Sequence, residues 1–401
     1  MTVANVGRPH WERFPLWSMY RRRELRGKGD AELLSVYREH GVVPKASRTD
    51  NYNKPSEDLR TYKYVRPRDL VLNKMKTWQG SLAVSRYEGI VSPAYFVAEP
   101  LTHADSRFMH HLLRSEPLVA EYRARSKGIR PNQWDLPWTD FSRIKVALPP
   151  ASEQRAIADF LDTETTRIDA LIAKKQLLVE RAGERVQALI ESRAWDPSQW
   201  EMSLNRLVRR FVDYRGATPE KSTSGVPLAT AGHIKDGRLE LETDPQFVSD
   251  DFYGPWMRRG FPAVGDVLMT MEAPLGQVAQ VDRLPLALAQ RVILMKPDER
   301  FVSGDFLSLL LRSPSFQARL AASATGSTAL GIRADRLKAL RLPVIPRDDQ
   351  DQVVAEARKA EVVLHTLAES LSRQNQLLRE RRQALITAAV TGELEVPGVA
   401  A

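Results

Sequence analysis

The chain has 401 residues, 43% of them hydrophobic and none of them cysteine, so it can bury at least two cores and has no disulfide or thiolate chemistry. Its formal net charge is +9, from 59 basic and 50 acidic residues, which favours a polyanionic partner. No stretch approaches the roughly 18 apolar residues of a membrane span, so we expect no membrane contact and a cytoplasmic location. An exported protein without disulfides is the alternative.

Residues 1–150 are predicted to form a first globular lobe. The run Asp69-Leu70-Val71-Leu72 is typical of a turn entering a buried strand, and residues 107–125 indicate a short helix. The lobe carries 26 basic and 16 acidic residues. Lysine and arginine that neutralise phosphates release condensed counterions, so this excess favours nucleic acid. An ordinary solvated surface would have a similar composition.

Residues 151–197 are predicted to form a long helical arm. Ser152 is suited to cap the start of the helix, and Pro197 ends it, because proline disfavours helical geometry in the residue before it. About 40 residues at 1.5 Å each make a rod of about 60 Å, too long for one small lobe to cover. The arm therefore needs a second partner.

Residues 198–345 are predicted to form a second lobe that repeats the first loosely. Trp200-Glu201 resembles Trp11-Glu12, and Asp266-Val267-Leu268-Met269 resembles the strand entry at Asp69. The excess of positive charge is smaller here, with 19 basic and 16 acidic residues. Short strands with frequent glycine and proline predict α+β lobes with long loops.

Residues 346–401 repeat the first arm at a constant shift of 196 positions, which pairs Gln154 with Gln350 and Leu171 with Leu367. Asp348, Asp349 and Asp351 are interpreted as favourable charge at a helix start rather than as a cation site. The matching register predicts that the arms pack on each other as an antiparallel coiled coil, giving a pseudo-twofold molecule of two lobes and two helices. Two amphipathic helices in separate cores are the alternative.

The predicted helix–helix contacts follow a spacing of three and four residues. They are Ile157, Leu161, Ile168, Leu171, Leu178 and Leu189 on the first arm, and Val353, Leu364, Leu367, Leu371, Leu378 and Leu385 on the second.

Several segments together resemble the DNA-specificity subunits of type I restriction-modification systems. They are Pro150-Ala-Ser-Glu-Gln-Arg-Ala-Ile157, the paired Gln-Ala-Leu-Ile ends of the arms, Ala388-Ala-Val-Thr-Gly-Glu393, Tyr214-Arg-Gly-Ala-Thr-Pro219, Gly326-Ser327-Thr328 and Gly89-Ile-Val-Ser-Pro-Ala-Tyr95. They follow the family's order along the whole chain. Asp349-Gln350 departs from the family's Glu-Gln, and the charged stretch from Arg21 to Lys54 leaves the start of the first domain undefined.

The resemblance implies two target recognition domains, each reading half of a bipartite site in double-stranded DNA, with the arms setting the unread spacer. It also implies two copies of a modification methyltransferase subunit and a translocating restriction endonuclease as partners, acting together in DNA methylation and host defence. No cofactor is expected on this chain. S-adenosylmethionine and ATP with magnesium are expected only on those partners.

Candidate DNA contacts are polar or basic side chains near loops, since arginine and glutamine discriminate bases whereas lysine mostly holds phosphate. The first lobe offers Lys74, Lys76, Arg86, Tyr87, Ser92, Tyr95, Arg123, Arg125, Lys127 and Arg130. The second lobe offers Tyr214, Arg215, Lys235, Arg258, Arg259, Gln290, Arg291 and Ser327. Each has an ordinary solvated side chain as its alternative, and Tyr95 and Tyr214 also suit a core position.

No catalytic or metal site is predicted. The sequence lacks an Asn/Asp-Pro-Pro-aromatic run for an extruded adenine, and it lacks a glycine-rich phosphate loop. His110-His111 is interpreted as a packing or surface pair, since adjacent helix positions point in different directions. Two alternatives stay open: a single-chain enzyme that also modifies DNA, and a coiled-coil DNA-binding scaffold or regulator that acts without a methyltransferase.

Overall fold

A computed structural model describes the chain in two compact units. The described residues are 8, 10–26, 29–48, 56, 58–128, 134–195, 199–235, 237–326 and 330–399. Unit 1 comprises Met1–Lys175 with Ser372–Ala401, and unit 2 comprises Gln176–Leu371. Each unit holds one lobe and a part of each long helix, whereas the sequence-based bounds separate lobes from helices. Those four bounds stay a prediction.

Unit 1 contains a lobe of ten short strands and four short helices among its described residues. The strands are β1 (Glu12–Pro15), β2 (Tyr20–Arg23), β3 (Leu34–Tyr37), β4 (Gly41–Pro44), β5 (Lys63–Val65), β6 (Leu70–Asn73), β7 (Leu82–Val84), β8 (Gly89–Val91), β9 (Tyr95–Pro100) and β10 (Lys145–Leu148). The helices are α1 (Leu16–Met19), α2 (Ser106–Leu113), α3 (Glu116–Arg125) and α4 (Trp138–Ser142), followed by the long α5 (Ala151–Ala194), which continues into unit 2. An antiparallel sheet in the order β2-β9-β6-β7 forms the centre, with the pairs β1-β10, β3-β4 and β5-β8 around it.

Unit 2 repeats this succession. Its strands are β11 (Glu201–Ser203), β12 (Val208–Asp213), β13 (Val226–Ala229), β14 (Ile234–Lys235), β15 (Arg238–Leu239), β16 (Phe247–Val248), β17 (Val267–Thr270), β18 (Val278–Gln280), β19 (Ala287–Leu288), β20 (Val292–Pro297) and β21 (Arg341–Pro343). Its helices are α6 (Leu204–Leu207), α7 (Asp250–Trp256), α8 (Gly304–Arg312), α9 (Pro314–Ser323), α10 (Ala334–Ala339) and the long α11 (Arg347–Val390), which continues into unit 1. The central sheet has the order β12-β20-β17-β18, beside a second sheet, β16-β13-β19, and the pairs β11-β21 and β14-β15.

The two central sheets share one register. Leu70 pairs with Ala98 in unit 1, and Val267 pairs with Met295 in unit 2, a shift of 197 residues for both partners. The turn after each inner strand uses a glycine with positive φ, Gly80 at 89° and Gly276 at 82°, a region that glycine enters without steric cost. The predicted duplication of α+β lobes is therefore confirmed at the level of individual residue pairs.

The long helices pack antiparallel within each unit. In unit 1, Arg382 pairs with Asp169 at 3.1 Å, and Lys175 bonds Gln374 farther along. In unit 2, Arg193 pairs with Glu356 at 3.2 Å. Advancing along α5 means moving back along α11, so the predicted antiparallel pairing is confirmed. Among the described residues, no helix combines the length and the apolarity needed to cross a lipid bilayer.

The buried face of α5 is shifted by one position from the predicted stripe. Leu171 and Leu178 are 41% and 51% exposed, so the packing prediction is wrong for both. Ile172 and Val179 take their places and are half-buried. The covered positions that follow Leu161 along α5 are spaced by four, three and four residues. Sequence spacing alone does not distinguish the two phases, because both offer apolar residues where they differ, Leu171 or Ile172 and Leu178 or Val179.

The other predicted packing positions are covered to different degrees. Ile157, Leu161, Ile168, Val353 and Leu371 are buried. Leu189, Leu364, Leu367, Leu378 and Leu385 are half-buried.

A buried glutamine fixes the start of each long helix to its lobe. The Gln154 amide donates to the Pro149 carbonyl at 2.9 Å, and its oxygen accepts from the Asp105 N–H at 2.9 Å. Gln350 makes the same two bonds, donating to the Ile345 carbonyl at 2.9 Å and accepting from the Ser303 N–H at 3.0 Å. Asp105 and Ser303 cap α2 and α8, so one side chain ties a lobe helix to a long helix.

The two tryptophans at the lobe openings lie on opposite faces, although the sequence predicts that they are equivalent. Phe14 pairs with Val146 and Met202 with Leu342, and these partners correspond at the shift of 196. This register places Trp200 at the position of Glu12 rather than Trp11. A slip of one residue turns a strand side chain to the other face. Trp11 is accordingly 5% exposed and Trp200 61% exposed.

The slip predicts unequal stability effects for the two tryptophans. Trp11→Ala should lower the free energy of unfolding by about 3–5 kcal/mol, because it empties a core site. Trp200→Ala should change it by less than about 0.5 kcal/mol, because the side chain is at the surface. Chemical denaturation followed by circular dichroism measures both. Similar losses for the two variants would contradict the assigned register.

Candidate nucleic-acid interface

The loops at one end of each central sheet bring together many of the predicted DNA contacts. In unit 1 these are residues 74–81 and 92–94 together with 127–128 and 134–136, which we call the lobe-1 loop end. In unit 2 they are residues 213–219, 271–277, 289–291, 325–326 and 330–332, the lobe-2 loop end. Antiparallel pairing causes this grouping, since strands leaving and entering the sheet meet at the same end.

The lobe-1 loop end gathers Lys74, Lys76, Ser92 and Lys127, and Tyr95 lies at its base. Lys74 pairs with Asp135 at 3.0 Å, which ties two loops together. Lys127 pairs with Asp140 at 3.5 Å and, like Lys76, is exposed. Exposed pairs of this kind contribute little to stability, so the flexible side chains of Lys74 and Lys127 can turn away from these carboxylates toward a phosphate.

A buried lysine supports the base of the lobe-1 loop end. Lys63 donates to the Tyr95 carbonyl at 2.8 Å and to Glu24 at 3.1 Å. Hydrogen bonds from Arg22 first, and also from Lys63 and Arg26, lower the pKa of Glu24 to about 2. Burial raises the pKa of the half-buried Tyr95 phenol. Tyr95 therefore belongs to the frame of the sheet more than to its surface.

Of the other predicted contacts of the first lobe, Arg86 and Tyr87 lie apart from the loop end, and Arg123 and Arg125 lie on α3 next to it. Arg86 and the exposed Tyr87 follow β7 at the opposite end of the sheet, where Arg86 pairs with Asp162 at 3.4 Å. Arg123 and Arg125 lie in the last turn of α3, and Arg125 bonds Glu121 at 2.7 Å. Arg130 falls outside the described residues.

At the lobe-2 loop end, two of the predicted contacts are built into the fold. Tyr214 is 2% exposed, donates its hydroxyl to the Gly260 carbonyl at 3.3 Å and stacks on Trp256, so the DNA-contact prediction is wrong for its side chain. Arg215 directs its Nε and Nη2 to Asp213 and its Nη1 to the Ile332 carbonyl at 3.1 Å. The fork of Arg215 is occupied within the lobe.

Gln290 and Arg291 form the tip of a turn between β19 and β20. The Thr218 hydroxyl donates to the Gln290 side-chain oxygen at 2.7 Å. Arg291 pairs through Nε with Glu272 at 3.2 Å, and its side chain is 49% exposed. This tip presents hydrogen-bond donors on a backbone held by neighbouring strands.

Among the remaining candidates of the second lobe, Arg259 contacts the lobe-2 loop end. Arg259 donates to the Asp213 carbonyl at 2.6 Å and lies over the Tyr214 ring. Arg258 beside it is exposed. Lys235 lies in the β14-β15 pair, bonds Glu240 at 3.4 Å and lines a cleft along the long helices of unit 2. Ser327 falls outside the described residues.

Several residues of the loop ends were not predicted. Trp78 and Trp134 contact each other with ring centroids 5.1 Å apart at the lobe-1 loop end. Glu272 and Thr218 hold Arg291 and Gln290 at the lobe-2 loop end. The 197-residue register would have located Glu272 from the Lys74 loop, but no local pattern indicates the pairing of Trp78 with Trp134 across 56 positions.

The different roles of two arginines can be tested by stability. Arg215→Ala should lower the free energy of unfolding of unit 2 by about 1–3 kcal/mol, because Asp213 and the Ile332 carbonyl lose a charged hydrogen-bond donor. Arg291→Ala should lower it by less than about 1 kcal/mol, because an exposed ion pair is weak. Thermal and chemical denaturation of both variants provide the comparison, and a larger loss for Arg291→Ala would refute the assignment.

Two known proteins are similar in sequence to this chain. No protein-family model matches the chain. It is 20% identical over 364 residues to the MjaVIII specificity subunit of a type I restriction enzyme of Methanocaldococcus jannaschii, covering 82% of this chain and 81% of that protein. It is 23% identical over 287 residues to the EcoBI specificity subunit of Escherichia coli, covering 62% of this chain and 58% of that protein.

A solved structure has the same fold over nearly the whole chain. It comes from a study of complex assembly and conformational transition of the type I restriction-modification system, and it superimposes with a TM-score of 0.70 at 16% identity. The match covers 96% of this chain and 99% of that one. The resemblance inferred from sequence motifs is thus confirmed: the chain is similar in sequence to specificity subunits of type I restriction enzymes, and the solved structure shares its fold.

Proposed function

We propose that this chain is the DNA sequence-recognition subunit of a type I restriction-modification complex. The observation that carries the proposal is the duplicated lobe with a donor-bearing loop end, attached in both copies to long helices that pack antiparallel. Each lobe reads one half of a bipartite site in double-stranded DNA. The chain itself is not catalytic.

Two kinds of contact divide the work at the loop ends. Exposed lysines such as Lys76 and Lys127 hold backbone phosphates, which fixes the lobe on the duplex without reading sequence. Donors held in a fixed geometry, such as those of Gln290 and Arg291, face base edges in the major groove. The two central sheets are alike and their loop ends differ, so we expect the two half-sites to differ in sequence.

The paired helices act as a ruler between the half-sites. Antiparallel packing with ion pairs along its length resists sliding, so the number of unread base pairs follows the length of the paired segment. Two methyltransferase subunits and a translocating endonuclease complete the assembly, and they supply S-adenosylmethionine and ATP with magnesium. The exposed Leu171 and Leu178 of α5 offer apolar surface for such subunits.

The proposal predicts partner-dependent methylation of a bipartite motif. A host that expresses this chain with its methyltransferase should acquire methylation at two short half-sites separated by a fixed gap. Genome-wide methylation sequencing measures it, with the methyltransferase alone and the chain alone as controls. Methylation by the chain alone would indicate an enzyme instead. A chain that binds DNA but does not co-purify with a methyltransferase would indicate a scaffold or regulator.

The ruler predicts a shift of the gap when the helices are lengthened. Inserting one heptad into α5 after Lys175 and one into α11 before Gln374 preserves the pairing of both faces. A heptad adds about 10 Å, close to three base pairs at about 3.4 Å each. Methylation sequencing should show a gap longer by about three base pairs and unaltered half-sites. An insertion in α5 alone is the control, and an unchanged gap in the double insertion would contradict the ruler.

A further inference from the structure

Few arginine forks at the lobe-2 loop end are available to a ligand. Arg215 donates hydrogen bonds from Nε and Nη2 to Asp213 and from Nη1 to the Ile332 carbonyl. Arg259 donates a hydrogen bond from Nη1 to the Asp213 carbonyl, and its guanidinium lies over the Tyr214 ring. Arg291 differs, because its one ion pair within the described residues uses Nε and leaves Nη1 and Nη2 without a hydrogen bond to any of them.

The backbone under Arg291 is fixed from several sides. The Val292 N–H donates to the Ala289 carbonyl at 3.2 Å and closes a turn with Gln290 and Arg291 at its tip. The Met271 N–H donates to the Arg291 carbonyl at 2.9 Å, and the Ala289 N–H donates to the Ala229 carbonyl at 2.9 Å. A side chain on such a base keeps its direction when a ligand approaches, which reduces the entropy lost on binding.

The position of Glu272 determines whether Arg291 suits a phosphate or a base. Its carboxylate lies 3.2 Å from the Arg291 Nε, and its side chain is about as exposed as that of Arg291. An exposed carboxylate at this distance opposes a phosphate, since both are anions. Its closest contact is to Nε, so the end-on pair of Nη donors stays available to a ligand. That pair matches the O6 and N7 acceptors of guanine in the major groove.

We propose that Arg291 reads a guanine in the half-site bound by the second lobe, with Glu272 as its positioning residue. This inference rests on the proposed function and specifies the base recognised at that loop end. The first lobe has no counterpart, because the shared register places Ala94 at the position of Arg291. The effect of Arg291 therefore belongs to one half-site alone.

The test uses the full chain expressed with its methyltransferase partner, followed by methylation sequencing of the host genome. Arg291→Lys keeps the charge and removes the fork. Glu272→Gln keeps the shape and weakens the hold on Nε. Arg283→Lys is the matched control, since Arg283 also pairs with carboxylates but lies in the loop after β18, away from the lobe-2 loop end.

Arg291→Lys should relax the preference for guanine at one position of one half-site by roughly ten- to a hundred-fold. Glu272→Gln should relax the same position less, and Arg283→Lys should leave the motif intact. An unchanged motif for Arg291→Lys, or an even loss over all sequences up to complete loss, overturns the proposal. So does a parent motif without guanine in the affected half-site. The absence of sequence-specific methylation by the parent complex would instead refute the proposed function.

Discussion

Neither long helix can bury its apolar face alone, and the rest of the structure depends on this constraint. Each helix has 44 residues, a rod of about 66 Å, whereas the lobes cover only its two ends. Between these ends, one face of each helix packs on the other helix, which runs the opposite way. A chain that repeats lobe and helix once satisfies both helices, because the end of each one packs beside the beginning of the other.

Within this frame the two copies preserve contacts while exchanging residues. Arg107 of α2 pairs with Asp162 of α5 at 3.3 Å in unit 1. In unit 2 the corresponding pair is Asp305 of α8 with Arg358 of α11 at 2.6 Å, with the charges reversed. Each lobe thus complements its own long helix, and an exchanged lobe would place like charges together. The contact between the lobe helix and the long helix therefore needs opposite charges, but either helix can carry the positive one.

The sequence predicts the architecture because duplication and helical periodicity extend over many residues, so single errors do not alter them. It fails where one position decides. A slip of one residue reverses the faces of Trp11 and Trp200, and a change of phase after Leu161 moves the packing face from Leu171 to Ile172. Local patterns are nearly identical on both sides of such a slip. Tertiary pairing of β1 with β10 and of β11 with β21 selects between them.

The same limit governs the candidate interface, where net charge identifies a class of partner but no contact. Arg215 and Arg291 are both arginines beside a loop, and only the destinations of their donors separate a frame residue from an available fork. Both lobes build that loop on one register, yet one presents Arg291 and the other Ala94. A shared frame with different tips therefore lets the two lobes present different side chains at the same place in the fold.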